Sequence, residues 1–100
     1  MSNGLKMVMI SYNSAIDVEV MEILEKCGIK NYTKWTGVNG KGQMSGSHFG
    51  SEVWPSINSV IFSAMEAEKA QDLIKHIKDL RAKLGKEGVK AFCWSLEEMT

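Results

Sequence analysis

The sequence predicts an α+β fold whose elements follow the order β-α-β-β-α-β, and three observations lead to this prediction. Four short runs of apolar, β-branched and aromatic residues have the length of strands. Two segments repeat apolar residues with the period of a helix, and each ends at a glycine. The resulting order is that of the ferredoxin-like, or split βαβ, arrangement. It consists of an antiparallel four-stranded sheet with two helices on one face.

The first half of the chain is predicted to form a strand, a helix and a second strand. Residues 5–12 are an apolar run too short for a helix, and Asn13 then offers a helix N-cap. Apolar residues next recur along one helical face that ends before Gly28: Ile16, Val20, Ile23, Leu24 and Cys27. Residues 29–36 combine β-branched and aromatic residues with polar ones at nearly every second place, which predicts a strand.

The second half is predicted to repeat this order of strand, helix and strand. Residues 57–64 form the third strand, which we expect to return antiparallel beside the second. A helix over residues 66–84 has a buried stripe and ends at Gly85. The stripe consists of Ala70, Leu73, Ile74, Ile77, Leu80 and Leu84. Residues 89–96 form the last strand.

Composition and charge fit one domain, residues 1–100. The chain has 44% hydrophobic and 24% charged residues, as ordinary globular proteins do. Twelve Lys and Arg balance twelve Asp and Glu, and this zero net charge argues against a nucleic-acid partner. The first residues lack the apolar region of a signal peptide, and no segment approaches the ~20 apolar residues of a membrane span. We therefore expect a cytoplasmic protein without direct membrane insertion.

The cysteines and the titratable residues do not indicate an enzyme. Cys27 and Cys93 fall within apolar patterns of different predicted elements and form no C-x-x-C pair, so we predict reduced core thiols. No serine or cysteine stands beside a usable base in a recognisable pattern. His76 lies between Ile74 and Ile77 and is predicted to be a helix-surface histidine rather than a ligand.

A long loop at residues 37–55 separates the second and third predicted strands. It contains five of the nine glycines and the only proline, and no helical or strand period continues through it. Loops of this length inside small domains are usually functional or disordered. Because the loop also carries apolar residues that favour burial, such as Phe49 and Trp54, we predict a conditionally ordered functional loop.

The predicted strands carry apolar residues on both faces of the sheet, although helices cover only one. A single chain would therefore expose a large apolar patch, which normally marks a partner surface. The sequence thus predicts an oligomer that packs these faces together.

Two loop motifs resemble those of the PII nitrogen-regulatory signalling proteins. The string VNGKGQMSG at residues 38–46 is similar to the V-x-G-x-G-x-x-x-G entry to the T-loop of that family, which also lies between the second and third strands. The turn LGKEGVK at residues 84–90 resembles a shortened version of the family's B-loop, T-G-x-x-G-D-G-K. The strings HFG at residues 48–50 and VWP at residues 53–55 resemble a short PII-like branch found with efflux transporters.

The resemblance implies a PII-like homotrimer with small-molecule sites in clefts between subunits. It implies ligand-binding residues in both loops: Gly40, Lys41, Gly42, Gln43, Lys86, Gly88 and Lys90. It also implies a partner-binding loop, with a membrane transporter as the candidate partner, that contains Met44, Gly46, His48, Phe49 and Trp54. An adenine nucleotide is the candidate effector. The acidic tail with Glu97 and Glu98 stands where nucleotide-binding members have arginines, which disfavours a triphosphate.

A divalent-metal binder like the CutA proteins, which have a similar trimeric fold, is the alternative. His48 and Glu52 lie four residues apart, and His48 residues from three chains could converge on one ion. The candidate cofactors are therefore an adenine nucleotide or a divalent transition metal.

Overall fold

The computed structural model describes residues 4–40, 57–85 and 88–100. Their elements confirm the predicted β-α-β-β-α-β order. In chain order they are β1 (Leu5–Asn13), a 3₁₀ turn (Ser14–Ile16), α1 (Asp17–Lys26), β2 (Thr33–Asn39), β3 (Ile57–Glu66), α2 (Ala67–Lys83) and β4 (Val89–Ser95). Asn13 caps the 3₁₀ turn through its side-chain oxygen, which accepts a hydrogen bond from the backbone N–H of Ala15. Gly28 follows α1 with a φ of 74°, as a helix-ending glycine should.

The four strands form one antiparallel sheet in the spatial order β2-β3-β1-β4. β1 and β3 occupy the centre and pair from Leu5 with Glu66 to Asn13 with Asn58. β2 and β4 are therefore the edge strands of the sheet. This is the ferredoxin-like topology predicted from the sequence.

The hydrophobic core lies between one face of the sheet and the two helices. Alternate residues of β1 face it, because strand side chains point to the two sides in turn. The core residues include Val8, Ile10, Tyr12, Ile61 and Val89 from the strands and Val20, Leu24, Ala70, Leu73 and Ile77 from the helices. These helical residues all belong to the faces predicted from the 3.6-residue period. Leu84 is the exception in the predicted stripe: α2 ends at Lys83, and Leu84, its C-cap residue, is 37% exposed because the chain turns away from the core there.

The opposite face of the sheet carries a second set of apolar side chains, and we call it the open face. It contains Met7, Met9, Trp35, Val60, Phe62, Phe92 and Trp94. Trp35, Phe92 and Trp94 are 52%, 43% and 44% exposed in the single chain. The rings of Trp35 and Phe62 meet edge to face, with their centroids 5.0 Å apart. The predicted excess of apolar surface is therefore present on this face.

The boundaries of β2 differ from the prediction. The sequence predicts this strand at residues 29–36 with the loop beginning at Gly37, but β2 runs over Thr33–Asn39. Gly37 has a φ of 72°, and the pairing with β3 shifts its register between Trp35 and Val38. A glycine with positive φ is the usual residue at such a bulge. Gly37 therefore lies within β2, whereas the prediction ended the strand just before this glycine.

The prediction for one of the two cysteines is also wrong. Cys27 is buried in the core, but Cys93 is exposed. Cys93 lies on β4, an edge strand, where burial decreases along the strand after Val89 and Ala91. An apolar pattern on an edge strand does not guarantee a covering helix, and this explains the error.

Among the described residues no helix is both long and apolar enough to cross a bilayer.

A polar network ties the end of β1 to α1 and β2. The buried hydroxyl of Tyr12 donates a hydrogen bond to Asp17 Oδ1 at 2.5 Å, and Lys34 Nζ donates to the same oxygen at 2.7 Å. The hydrogen bond from Lys34, followed by that from Tyr12, lowers the pKa of Asp17 below its ordinary value. Burial, together with the neighbouring Asp17 carboxylate, raises the pKa of Tyr12. The folded state therefore favours a charged Asp17 and a neutral Tyr12.

We expect Asp17→Ala to lower the free energy of unfolding by about 1–2 kcal/mol, because it leaves the buried Tyr12 hydroxyl without its acceptor. Urea unfolding at neutral pH would measure this, with Glu19→Ala in the same helical turn as a control that should change little. Because the Asp17 pKa is lowered in the folded state, its contribution is present above the unfolded pKa of about 3.9 and disappears as the pH falls through the folded value. If the wild type and Asp17→Ala still differed equally in free energy of unfolding at strongly acidic pH, the charge of Asp17 would not be what stabilises the fold.

Candidate functional site

Both predicted ligand-binding loops begin or end at the same end of the sheet. Asn39, the last residue of β2, pairs with Ile57, the first residue of β3. Asn13 at the end of β1 pairs with Asn58, and Val89 at the start of β4 pairs with Tyr12. We call this end, where β1 and β2 finish and β3 and β4 begin, the loop end. The fold therefore brings Gly40 and Gly88 to one end of the molecule.

Gly40, the first residue after β2, has a close neighbour in Asn58. A Cβ atom built on Gly40 would lie 1.8 Å from the Asn58 side-chain nitrogen. The amide of Asn58 thus packs directly on the backbone of Gly40, a position that only glycine permits without displacing that amide. Asn58 is a residue of the loop end that sequence reasoning missed. The available signal was weak, an asparagine near the start of a strand where asparagine is uncommon.

Gly88 directly precedes β4, and Lys90 is the second residue of that strand. The carbonyl oxygen of Gly88 accepts a hydrogen bond from the backbone N–H of Asn13 at 2.7 Å, which joins this turn to the end of β1. Gly88 has a φ of 90°, so glycine suits this position. Lys90 is exposed, pairs with Ser11, and shares the open face with Phe92 and Trp94. A cation therefore stands at the loop end of the apolar open face.

Gly40 and Lys90 lie on opposite edges of the same sheet. Gly40 follows edge strand β2, Lys90 belongs to edge strand β4, and β3 and β1 lie between them. Three strand spacings correspond to about 14 Å. The described residues of one chain do not enclose a small ligand between these two positions.

Most of the predicted site residues lie outside the described part of the chain. These are the ligand-binding Lys41, Gly42, Gln43 and Lys86, the loop residues Met44, Gly46, His48, Phe49 and Trp54, and the metal candidates His48 and Glu52. Their assignments remain predictions. Gly40, Gly88 and Lys90 are the predicted site residues whose positions are described.

A family model of nitrogen regulatory protein P-II matches residues 5–100. The chain belongs to the P-II family. The match covers both helices and all four strands of the P-II chain, as well as the two loops that carry the resemblance. A comparison with curated proteins found no match.

Solved structures of other proteins share the fold of this P-II chain. One is CPII, a nitrogen regulatory PII-like protein from Thiomonas intermedia K12, bound to ADP, AMP and bicarbonate. It is 18% identical with a TM-score of 0.69, and the alignment covers 92% of this chain and 89% of CPII. Another is a PII-like signalling protein from Thermus thermophilus, which is 21% identical with a TM-score of 0.67 and coverages of 92% and 86%. These matches confirm the predicted fold.

The family match bears on the two alternatives that the sequence left open. Membership of the P-II family supports a regulatory protein, and the similar structures are PII-like proteins. The CutA-like alternative gains no support from these matches. Neither does the metal hypothesis based on His48 and Glu52, which lie outside the described residues.

Proposed function

We propose that this P-II chain is a cytoplasmic regulatory protein, without catalytic activity, that forms a homotrimer and binds an adenine nucleotide between subunits. It presents the segment between β2 and β3 to a membrane transporter. The position of Lys90 is the observation that carries the proposal. Lys90 is exposed at the loop end of the open face, so the surface suited to subunit contact also carries a cation suited to phosphate.

The open face supports self-association. Its exposed tryptophans and phenylalanine are residue types enriched in protein interfaces. The zero net charge of the chain adds no long-range repulsion between copies. A closed ring of three chains with their open faces inward would cover this patch on every copy. It would also bring the β2 edge of one chain toward the β4 edge of the next. Gly40 of one subunit and Lys90 of its neighbour would then lie close together, although three strand spacings separate them within one chain.

The choice of ligand rests on the structural relatives and on the residues of the two loops. CPII is bound to ADP and AMP in its solved structures, and this chain shares its fold. Backbone N–H groups of glycine-rich segments form concave anion sites, and residues 40–43 supply such a segment. Lys86 and Lys90 would add positive charge, and Gly88 lets the turn between them approach the phosphates. The acidic tail favours ADP or AMP over ATP.

We expect Lys90→Ala to weaken ADP binding roughly tenfold to a hundredfold, since a hydrogen bond to a charged group contributes about 1.5–3 kcal/mol. Isothermal titration with ADP, AMP and ATP would measure the affinities. Lys30→Ala is the matched control, because Lys30 is an exposed lysine that precedes β2 and lies away from the loop end. The same ADP affinity in both variants would remove Lys90 from the site. No heat with any nucleotide and the wild-type protein would contradict the proposed ligand.

The proposed transporter contact can be tested with the loop residues. The tagged protein would be incubated with detergent-solubilised membranes of its own organism, with and without ADP. We expect the wild type to retain a transporter and the double variant Phe49→Ala/Trp54→Ala to lose it, because large aromatic side chains dominate interface energies. The variant Tyr32→Ala removes an exposed aromatic side chain that lies outside both the loop and the open face, and it serves as the control. Recovery of the same membrane proteins by the loop variant would contradict the assigned role of the loop.

A further inference from the structure

We propose that Cys27, Asp72 and His76 form a binding site for a divalent transition-metal ion such as Zn²⁺ between α1 and α2. The Cys27 Sγ atom lies 3.6 Å from His76 Nδ1, and Nδ1 lies 3.6 Å from Asp72 Oδ1. All three potential ligand atoms lie within 4.8 Å of one another. A thiol, an imidazole and a carboxylate thus converge on one point.

These distances fit the dimensions of a tetrahedral site. Zn²⁺ binds sulfur at about 2.3 Å and imidazole nitrogen at about 2.0–2.1 Å, so a sulfur and a nitrogen on one ion stand about 3.5 Å apart. The observed Sγ to Nδ1 distance of 3.6 Å matches this value. The nitrogen-to-oxygen separation, also 3.6 Å, is only slightly longer than an ion bound by both atoms requires. The remaining distance, from sulfur to oxygen, is within 4.8 Å, so the exposed Asp72 side chain would rotate toward the ion on binding.

The fold holds the three ligands on rigid elements. Asp72 and His76 lie four residues apart on α2 and therefore on the same helical face. Cys27 is the C-cap residue of α1 and is 8% exposed. Leu24 and Leu73, neighbours of this cluster in the chain, anchor the two helices in the core. Three protein ligands from anchored helices leave a fourth position for water, as in open zinc sites.

An ion can reach the site from solvent. The side chains of His76 and Asp72 are 30% and 54% exposed. His76 also lines a surface cavity of about 370 Å³ between the helices. Charged residues of both helices line that cavity: Glu19, Glu22 and Lys26 on α1, and Asp79 and Lys83 on α2. Lys26 and Lys69 are the cations near Cys27, and Lys69 Nζ is held by a hydrogen bond to the Gly28 carbonyl oxygen at 3.1 Å.

Binding of the ion releases the thiol proton of Cys27 and moves the ring proton of His76 from Nδ1 to Nε2. In the metal-free protein His76 Nδ1 lies 2.9 Å from the Asp72 backbone carbonyl oxygen, the geometry of an N–H donor to that oxygen. Coordination through Nδ1 needs the tautomer with its proton on Nε2, so the imidazole stays neutral and loses the hydrogen bond. The metal–sulfur bond replaces the S–H bond of Cys27, and the thiol proton goes to solvent. No oxidation or reduction is involved.

The site is separate from the proposed nucleotide site. α1 begins beside the loop end of β1, so Cys27 at its C-terminus lies toward the other end of the sheet. The cluster is also on the helix side, whereas Lys90 is on the open face. Metal binding and nucleotide binding can therefore succeed or fail independently.

Titration with Co²⁺ as a spectroscopic probe tests the site directly. The reduced wild-type protein should bind one Co²⁺ per chain, with a thiolate-to-cobalt charge-transfer band and the visible bands of tetrahedral cobalt. Cys93→Ser is the matched control. It should keep the bound Co²⁺ and all of these bands, because Cys93 is exposed on β4, away from the cluster. Cys27→Ser should lose the charge-transfer band. An unchanged band in Cys27→Ser, its loss in Cys93→Ser, or no band in the wild type would overturn the proposal.

A second variant keeps the test valid if Cys27→Ser fails to fold. His76→Gln changes a partly exposed side chain, and it should weaken Zn²⁺ binding at least tenfold in competition with a chromophoric chelator. At the same Zn²⁺ concentration, the melting temperature of the wild type should rise by more than that of His76→Gln. Equal Zn²⁺ affinity in His76→Gln and the wild type would overturn the site. So would a loss of binding in His48→Gln together with its retention in His76→Gln.

Discussion

Met9→Glu should convert the protein from the proposed three-chain assembly into a folded single chain. Met9 lies at the centre of the open face, where it pairs with Phe62 on β3 and Phe92 on β4. In the proposed trimer the new carboxylate would be buried without a partner in every subunit, an effective penalty of several kcal/mol per ion. In the single chain it can reach water from a half-buried position, so folding is preserved. Each 1.4 kcal/mol is a factor of ten in the dissociation constant, so dissociation should be complete at micromolar concentrations.

Light scattering coupled to size exclusion would measure the mass, and circular dichroism would confirm that the helices remain. Val18→Glu is the matched control, since Val18 is a 66% exposed apolar residue on α1, away from the open face. It should keep the mass of three chains. Met9→Glu should also lose ADP binding, because the proposed clefts need two subunits, whereas Lys90→Ala should lose affinity and keep its mass. A wild-type mass of one chain in dilute solution would contradict the trimer itself.

The helices were predictable because their burial follows a local period. Val20 and Leu24 on α1 and Ala70, Leu73 and Ile77 on α2 are buried where the 3.6-residue repeat places them. The end of β2 was not predictable in the same way. Gly37 resembles the start of a glycine-rich loop, yet it occupies a bulge in a strand that continues to Asn39. Whether a glycine ends a strand or bends it depends on the partner strand, which the local sequence does not specify.

The candidate site could be predicted where motif and topology coincide. Gly40 and Gly88 come from separate loop motifs, and the antiparallel pairing brings both to the loop end. The packing of Asn58 on Gly40 has no sequence motif, because it depends on side-chain placement. The contact of Cys27 with His76 joins residues 49 positions apart. The spacing of Asp72 and His76 on one helical face was a usable signal, but the third ligand comes from another helix.

Leu73→Ala should produce the largest loss of stability among single core substitutions of α2, about 3 kcal/mol. Leu73 is fully buried at the middle of the helix, in the cluster that joins α2 to the sheet and to α1. Removing its side chain loses the transfer free energy of the buried methyl groups and leaves a cavity that the packed helix does not close. For a chain of this size the loss corresponds to a fall of roughly 15 °C in the melting temperature.

The measurement is best made in the Met9→Glu background, because the stability of an oligomer depends on protomer concentration. There, urea unfolding reports the single chain alone. Phe92→Ala is the control, since Phe92 is a larger side chain but 43% exposed on the open face. In the single-chain background Phe92→Ala should change the free energy of unfolding by less than about 1 kcal/mol, and in the wild-type background it should weaken the assembly. The opposite result would be a larger loss of unfolding free energy from Phe92→Ala than from Leu73→Ala in the single chain. It would mean that the open face is part of the core of the monomer, and the assignment of this face to subunit contact would be wrong.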